Sequence, residues 1–155
     1  MIRRARESDV EQIVALCREL AEYERSGEHF RMTAAQLRSA LFGAAPSVFC
    51  HVAEVDGALA GCALWFRTFS TWTGTHGIHL EDLYVRPQHR GTGLGTQLLA
   101  ALARECVREG HQRLEWAVLD WNEPTIAFYR KLGATTVDDW LVFRLAGDAL
   151  TALGS

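Results

Sequence analysis

One stretch constrains this chain more than any other. From Gly77 the run "GIHLEDLYV" is rich in β-forming residues; "RPQHRGTGLG" then sets glycines at 91, 93 and 95, and an amphipathic helix starts behind them. Leu94, Leu98, Leu99, Leu102, Cys106 and Val107 recur at helical spacing, so this helix, read from Gly91 to Glu109 with Gly110 as its stop, has an apolar face to bury. The strand "RLEWAVL" follows. Strand, helix and strand in succession commit the chain to an α/β fold.

The flanks add to it. Ile2-Arg3-Arg4-Ala5 is a short strand candidate, and Ser8-x-x-Glu11 is a capping box for a helix that reaches Tyr23-Glu24 with Val10, Ile13, Val14, Leu16, Cys17 and Leu20 on its apolar side. Thr33-x-x-Gln36 repeats the signature before a short helix that Gly43 ends. "SVFCHVAEV" and "ALAGCALWFRTF" read as two strands joined at the hairpin signal Asp56-Gly57. "WNEPTIAFYRKLGA" reads as a helix with Asn122 at its N-cap, Pro124 in its first turn and Gly133 past its end, and "DWLVFRL" as a last strand. No repeat, linker or low-complexity segment interrupts the 155 residues, 48% of them hydrophobic. The expectation is a single domain over 1–155, a mixed α/β sandwich with one sheet.

A formal net charge of -3 and a pI near 6.1 argue against a nucleic-acid-binding surface. No apolar run is long enough for a membrane span, and Met1-Ile2-Arg3-Arg4 leads into polar Glu7-Ser8-Asp9, so a cytoplasmic protein without membrane contact is expected. Cys17, Cys50, Cys62 and Cys106 are scattered through apolar segments with no C-x-x-C, which points to buried thiols and away from a metal or a disulfide framework. His76 and His79 fall on opposite faces of a strand, so no metal is expected there either.

The glycine loop admits two readings. Glycines at 91, 93 and 95 permit a tight strand-to-helix turn. They also let a ligand approach the N-H groups that a first helical turn leaves unpaired, where the macrodipole favours an anion and Arg90 adds charge. Thr96 stands where the dinucleotide fingerprint needs glycine, and the Gly-Lys-Ser/Thr ending of a P-loop is absent. On the preceding strand Glu81 and Asp82 are adjacent, so alternation sends them to opposite faces and argues against a carboxylate dyad; Leu80 and Tyr84 share Asp82's face, Leu83 and Val85 that of Glu81.

"Gln88-His89-Arg90-Gly91-Thr92-Gly93-Leu94-Gly95" resembles the Arg/Gln-x-x-Gly-x-Gly/Ala motif of the GNAT N-acetyltransferases, and "WNEPTIAFYRKLGA" is similar to that superfamily's next segment. "ELAEYE", "TFSTWTG", "LEDLYV", "AVLDWNEPTIAFYRKLGA" and Trp140 look, in order and spacing, like the diamine acetyltransferase branch. Within it, "Ser70-Thr71-Trp72" and "Ala117-Val118-Leu119-Asp120-Trp121-Asn122" are more similar to thialysine-acetylating members, since the spermidine/spermine enzymes tend to carry an acid where Ser70 falls.

The resemblance implies a central, mostly antiparallel sheet with a splayed, cofactor-binding strand pair, and acetyl-CoA as co-substrate. It implies that Arg90, Gly91, Thr92, Gly93, Leu94, Gly95 and Thr96 hold the pyrophosphate, that backbone groups of Leu83, Tyr84 and Val85 align the pantetheine arm, and that Asn122 and Pro124 begin another coenzyme-contacting segment. It makes Glu81 the base acting through water and Tyr129 the acid that protonates the departing thiolate. Asp82, Tyr23 and Glu24 then recognise the amine, and Trp72 and Trp140 wall the pocket, since tryptophan faces attract ammonium groups. A base is needed because an amine of pKa about 10.4 is only roughly one part in a thousand neutral near pH 7.5, a cost of about 4 kcal/mol. The substrate is then a small cationic amine, met by direct attack with no cysteine nucleophile, and the protein a homodimer. Read without the resemblance, Tyr129 is helix packing, Asn122 a cap and Glu24 an exposed acid. Acetylation of protein lysines or N-termini, and a non-catalytic acetyl-CoA sensor, are the competing functions.

Overall fold

The computed structural model describes every residue from Met1 to Ser155. Within the compact unit Met1–Ala117 the elements are β1 (Ile2–Arg4), α1 (Val10–Tyr23), α2 (Ala34–Phe42), β2 (Phe49–Val55), β3 (Ala58–Ser70), β4 (Thr75–Val85), α3 (Leu94–Glu109) and β5 (Leu114–Glu115). The strands lie side by side in chain order, antiparallel from β1 to β4 and parallel between β4 and β5. This is the mixed, mostly antiparallel sheet expected. Val118–Ser155 is a second compact unit, with α4 (Glu123–Lys131) and α5 (Gly147–Leu153).

Local chemistry explains most boundaries. Asp56 and Gly57 both take positive φ, 50° and 79°, the requirement of the two-residue turn that joins β2 to β3. At α2 the Thr33 hydroxyl accepts from the Gln36 N-H at 3.1 Å, while the Gln36 side chain accepts from the Thr33 N-H at 3.0 Å. The start of α1 departs from expectation. A 3-10 turn over Glu7–Asp9 precedes it, and the box of Ser8 and Glu11 is replaced by the Asp9 carboxylate, which accepts from the Arg6 N-H at 2.7 Å.

One face of the sheet carries Cys50, Val52, Cys62, Leu64 and Tyr84 against Val10, Ile13, Leu16 and Cys17 of α1 and Leu37 and Leu41 of α2. Full burial of each large apolar side chain is worth about 1.5–3 kcal/mol. On the other face Trp65, Ile78 and Leu80 are buried, and α3 packs there with Leu98 and Leu102 fully enclosed.

A β-bulge decides which residues meet. Leu64 pairs with Asp82 and Trp65 with Leu80, which leaves Glu81 as an extra residue on β4. One extra residue reverses the alternation beyond it. Asp82 and Tyr84 therefore share the α1 face with their partners Leu64 and Cys62, while Leu80 lies with Trp65 on the α3 face, so the expected grouping of Leu80 with Asp82 is corrected.

Two other strand expectations fail. "RLEWAVL" pairs only through Leu114 and Glu115, opposite Ile78 and His79, and β4 continues six residues further without β5 beside it. The parallel pair thus opens toward the end of β4. "DWLVFRL" joins no ladder; Leu141, Val142 and Phe143 are 82%, 95% and 91% exposed, and the next regular element is α5. Residues that favour strands form one only where a neighbour supplies hydrogen bonds.

Candidate active site

The glycine loop leaves a strand end held by named contacts. Arg86 forks onto the Glu19 carboxylate of α1 at 2.9 and 3.2 Å and donates to the Leu59 carbonyl at 3.0 Å, which anchors the strand end. A 3-10 turn over Pro87–His89 follows, and the Thr92 hydroxyl closes it by donating to the His89 carbonyl. Gly91 and Gly93 take φ of 77° and 86°. A β-carbon on Gly91 would meet nothing within 4 Å, so glycine is required there by backbone conformation and not by crowding. The helix starts at Leu94, later than the expected Gly91, because these left-handed positions cannot be helical.

No side chain caps α3. Its first bonded N-H is that of Gln97, donating to Gly93 at 3.0 Å, so the N-H groups of Leu94, Gly95 and Thr96 face outward at the positive end of the helix. Arg90 adds less than its charge suggests: its Nε donates to the Val85 carbonyl at 2.9 Å and its guanidinium lies over the rings of Tyr23 and Tyr84, at 5.3 and 5.5 Å. The arginine ties the loop to the end of β4 and to the end of α1.

Glu81 and Asp82, expected on opposite faces, nevertheless influence each other electrostatically across the bulge. Burial and then the negative charges of Glu81 and Glu24 push Asp82 up to about 6, partly offset by a hydrogen bond from Cys17. Burial followed by the charge of Glu81 raises Glu24 as well. Three carboxylates from the end of α1 and the middle of β4 thus act on one another, next to the aromatic pair Tyr23 and Tyr84. Glu81 is the exposed member, its Oε2 3.6 Å from His79 Nε2. Cys17, which a sequence reading treats as a core thiol, is the residue that was missed; its place in the apolar stripe of α1 is legible, its contact with Asp82 is not. Hydrogen bonding to Cys62 and burial push the Cys17 thiol up, so it acts as a donor. All four cysteines are buried and free.

Trp72 is not brought to these carboxylates. It stands in the turn between β3 and β4, 81% exposed, its N-H bonded to the Ser70 hydroxyl at 3.2 Å. Glu81 is six strand residues beyond Thr75, roughly 20 Å along the hairpin. Ser70 itself serves the turn, accepting also from the Thr73 N-H at 3.3 Å.

In the second unit Tyr129 lies in the last turns of α4, its ring 5.4 Å from that of Phe128. Pro124 is in the first turn and Gly133 follows the helix with φ of 93°, both as expected. Asn122 departs from expectation: it occupies the N-cap, but its side chain makes no capping bond and is buried, so capping does not account for it. Trp140 is 67% exposed.

An α/β sheet that opens beside an uncapped, glycine-led helix, with clustered acids next to it, defines a ligand-binding enzyme fold. The sequence profile of the acetyltransferase (GNAT) family matches residues 10–134. The chain is 39% identical over 163 residues to the thialysine N-epsilon-acetyltransferase of Mus musculus, covering 98% of this chain and 95% of that protein. It is 31% identical to spermidine/spermine N(1)-acetyltransferase-like protein 1 of Homo sapiens over 159 residues, 96% of this chain and 23% of that one. Among solved structures, an integron cassette protein from the mobile metagenome of V. cholerae superposes with a TM-score of 0.84 at 25% identity, covering 99% of this chain and 96% of that chain. This chain belongs to the GNAT family: it is an acetyltransferase of the branch that acts on amines. No helix is long and apolar enough to cross a membrane.

Proposed function

We propose that the protein moves an acetyl group from acetyl-CoA to a primary amine of a small cationic substrate by direct attack. Thialysine or a lysine-like amino acid stands first, on the likeness to the mouse enzyme, with diamines and polyamines behind it. The observation that carries this reading is the acid cluster of Glu24, Glu81 and Asp82, since burial and then neighbouring negative charge raise Glu24 and Asp82, and a cation relieves both.

The loop suits acetyl-CoA. Gly91 and Gly93 present open backbone, and the uncapped N-H groups of Leu94, Gly95 and Thr96 suit a pyrophosphate. When bound, acetyl-CoA supplies the activated thioester carbonyl. Backbone groups of Leu83, Tyr84 and Val85, on the part of β4 that β5 leaves uncovered, align the pantetheine arm. Asp82 and Glu24, with Tyr23, hold the ammonium group, and Glu81, open to water, takes its proton through a water molecule. Tyr129 protonates the sulfur, while Asn122 and Pro124 open a second coenzyme-contacting segment and Trp140 contributes a cation-binding face; these roles rest on the family resemblance. The same resemblance makes the working form a homodimer, which size-exclusion chromatography with light scattering checks.

Thiol release from acetyl-CoA over thialysine, lysine, ornithine, spermidine and a lysine peptide tests the reading. Turnover highest on a free amino acid with a side-chain amine supports it, a preference for the peptide replaces it with protein acetylation, and cofactor binding without turnover makes the protein a sensor. Glu81→Gln should lose most activity at neutral pH and least at high pH, where the amine sheds its own proton; an equal loss at every pH removes Glu81 as base. Tyr129→Phe should lower turnover on the order of 100-fold with cofactor affinity kept.

A further inference from the structure

The α3 face of the sheet holds a second concavity, far from the acid cluster. A cavity of about 400 Å³ lies between β1, β2 and α3, lined by Ile2, Arg4, His51, Arg104, Glu105 and Arg108 among others. Arg104 is ten residues past the start of α3, about 15 Å along the helix from the glycine loop. The acids sit on the opposite, α1 face.

Its charges do not balance. Glu105 is buried and shared, its Oε1 2.7 Å from Arg4 Nη2 and its Oε2 bonded to Arg108. Arg108 also reaches Glu109 at 3.2 Å. Arg104 has neither an ion pair nor a hydrogen bond. Arg4 and Arg108 therefore share one buried carboxylate, Arg104 lines the same cavity unpaired, and Arg3, also in the lining, is matched by Asp9 and Glu54, so the lining carries net positive charge.

A buried donor points the same way. His51 is 6% exposed and lines the cavity. Trp65 Nε1 donates to its Nδ1 at 3.1 Å, so the ring proton resides on Nε2. The oxygen of Glu105 nearest that Nε2 is 3.7 Å away, beyond hydrogen-bond reach. Burial, then the Arg4 charge, holds the imidazole down at about 4, so His51 offers a neutral N-H across the physiological range. Arg4 is itself fixed, its guanidinium 5.0 Å over Trp65 and 5.6 Å over Phe49. A rigid arginine, an unpaired arginine and a buried N-H around one void are the parts of an oxyanion site.

We propose that this cavity binds a small, multiply charged oxyanion, a phosphate or a phosphate monoester, through Arg104, Arg4 and the His51 Nε2-H. The volume exceeds what free phosphate needs and falls in the range of small-molecule sites. The site is independent of acetyl transfer.

Titration calorimetry tests it on the intact protein, with inorganic phosphate and with glycerol 3-phosphate at an ionic strength held constant with chloride. The expected result is saturable one-to-one binding, weakened about tenfold or more by Arg104→Gln, the loss of one charge-assisted fork. Arg104→Gln leaves the Glu105 pairs in place, and an unchanged melting temperature of the free variant shows that the fold is kept. Tighter binding of the monoester than of phosphate identifies an organic phosphate as the ligand; the reverse order identifies the free ion. No saturable heat, or binding that Arg104→Gln leaves untouched, overturns the proposal, the latter by placing the anion at another site such as the start of α3.

Discussion

Asp9 and Asp82 stand at two places where the chain withdraws an aspartate from water, with opposite results. Asp9, buried beside β1, meets the Arg3 guanidinium in a two-toothed contact at 2.7 and 3.1 Å and also accepts from the Arg6 N-H; the Arg3 bonds outweigh burial and lower its carboxyl. Asp82, on the bulge of β4, meets Glu81, Glu24 and a cysteine thiol, and burial with those charges raises it to about 6. The first carboxylate is satisfied within the protein; the second has no cationic partner there and, on the proposed function, would meet the substrate amine. A pair completed internally stabilises the fold, whereas an acid cluster without a cation costs stability, the arrangement expected of the proposed amine site.

Substitution separates the two. The largest effect should come from Asp9→Ala, which leaves Arg3 half-paired in a buried setting with only Glu54 at 2.6 Å, and should cost about 3 kcal/mol in a denaturant titration. A loss below about 1 kcal/mol would make the pair no better than a surface bridge. Asp82→Asn should do the reverse at pH 7.5, stabilising the protein by up to about 3 kcal/mol while raising the KM for the amine. The sign follows from the raised value: between the ordinary 3.8 and about 6 the folded protein keeps a proton that the unfolded chain has released, so stability falls as pH rises through that window and the gain from Asn disappears below it. For Asp9 the window is inverted. Its stabilisation is full above the ordinary 3.8 and is lost as pH falls below that, so the cost of Asp9→Ala should fade only in strong acid. The smallest effect should be that of Glu24→Gln. Removing one of the charges that raise Asp82 should move the acidic limb of kcat/KM toward lower pH by a fraction of a unit, and a shift in the opposite direction would break the cluster into independent acids.

Much of this was legible in the chain itself. The amphipathic stripe of α3, the Asp56-Gly57 turn, the Thr33–Gln36 box and the glycine loop are written in spacing and backbone preference, which act over a few residues. The resemblance supplied the acids and Tyr129 as candidates. What was not legible is also specific. "RLEWAVL" and "DWLVFRL" look alike as strand formers, yet the first pairs through two residues and the second through none. The capping potential of Asn122 went unused, and that of Ser8 was taken over by Asp9.

By itself, then, the sequence determined the order of elements, the loop that leads α3 and the family to which the chain belongs, because helical and strand periodicity, turn chemistry and motif spacing are properties of neighbouring residues. Only the tertiary structure decided that Glu81 is a bulge residue, that Asp82 turns toward Cys17 and Glu24 while Asp9 turns toward Arg3, and that Arg104 is left without a partner above His51. Register and ion pairing depend on residues brought together from tens of positions apart. A single inserted residue in one strand is enough to reverse what adjacent letters imply.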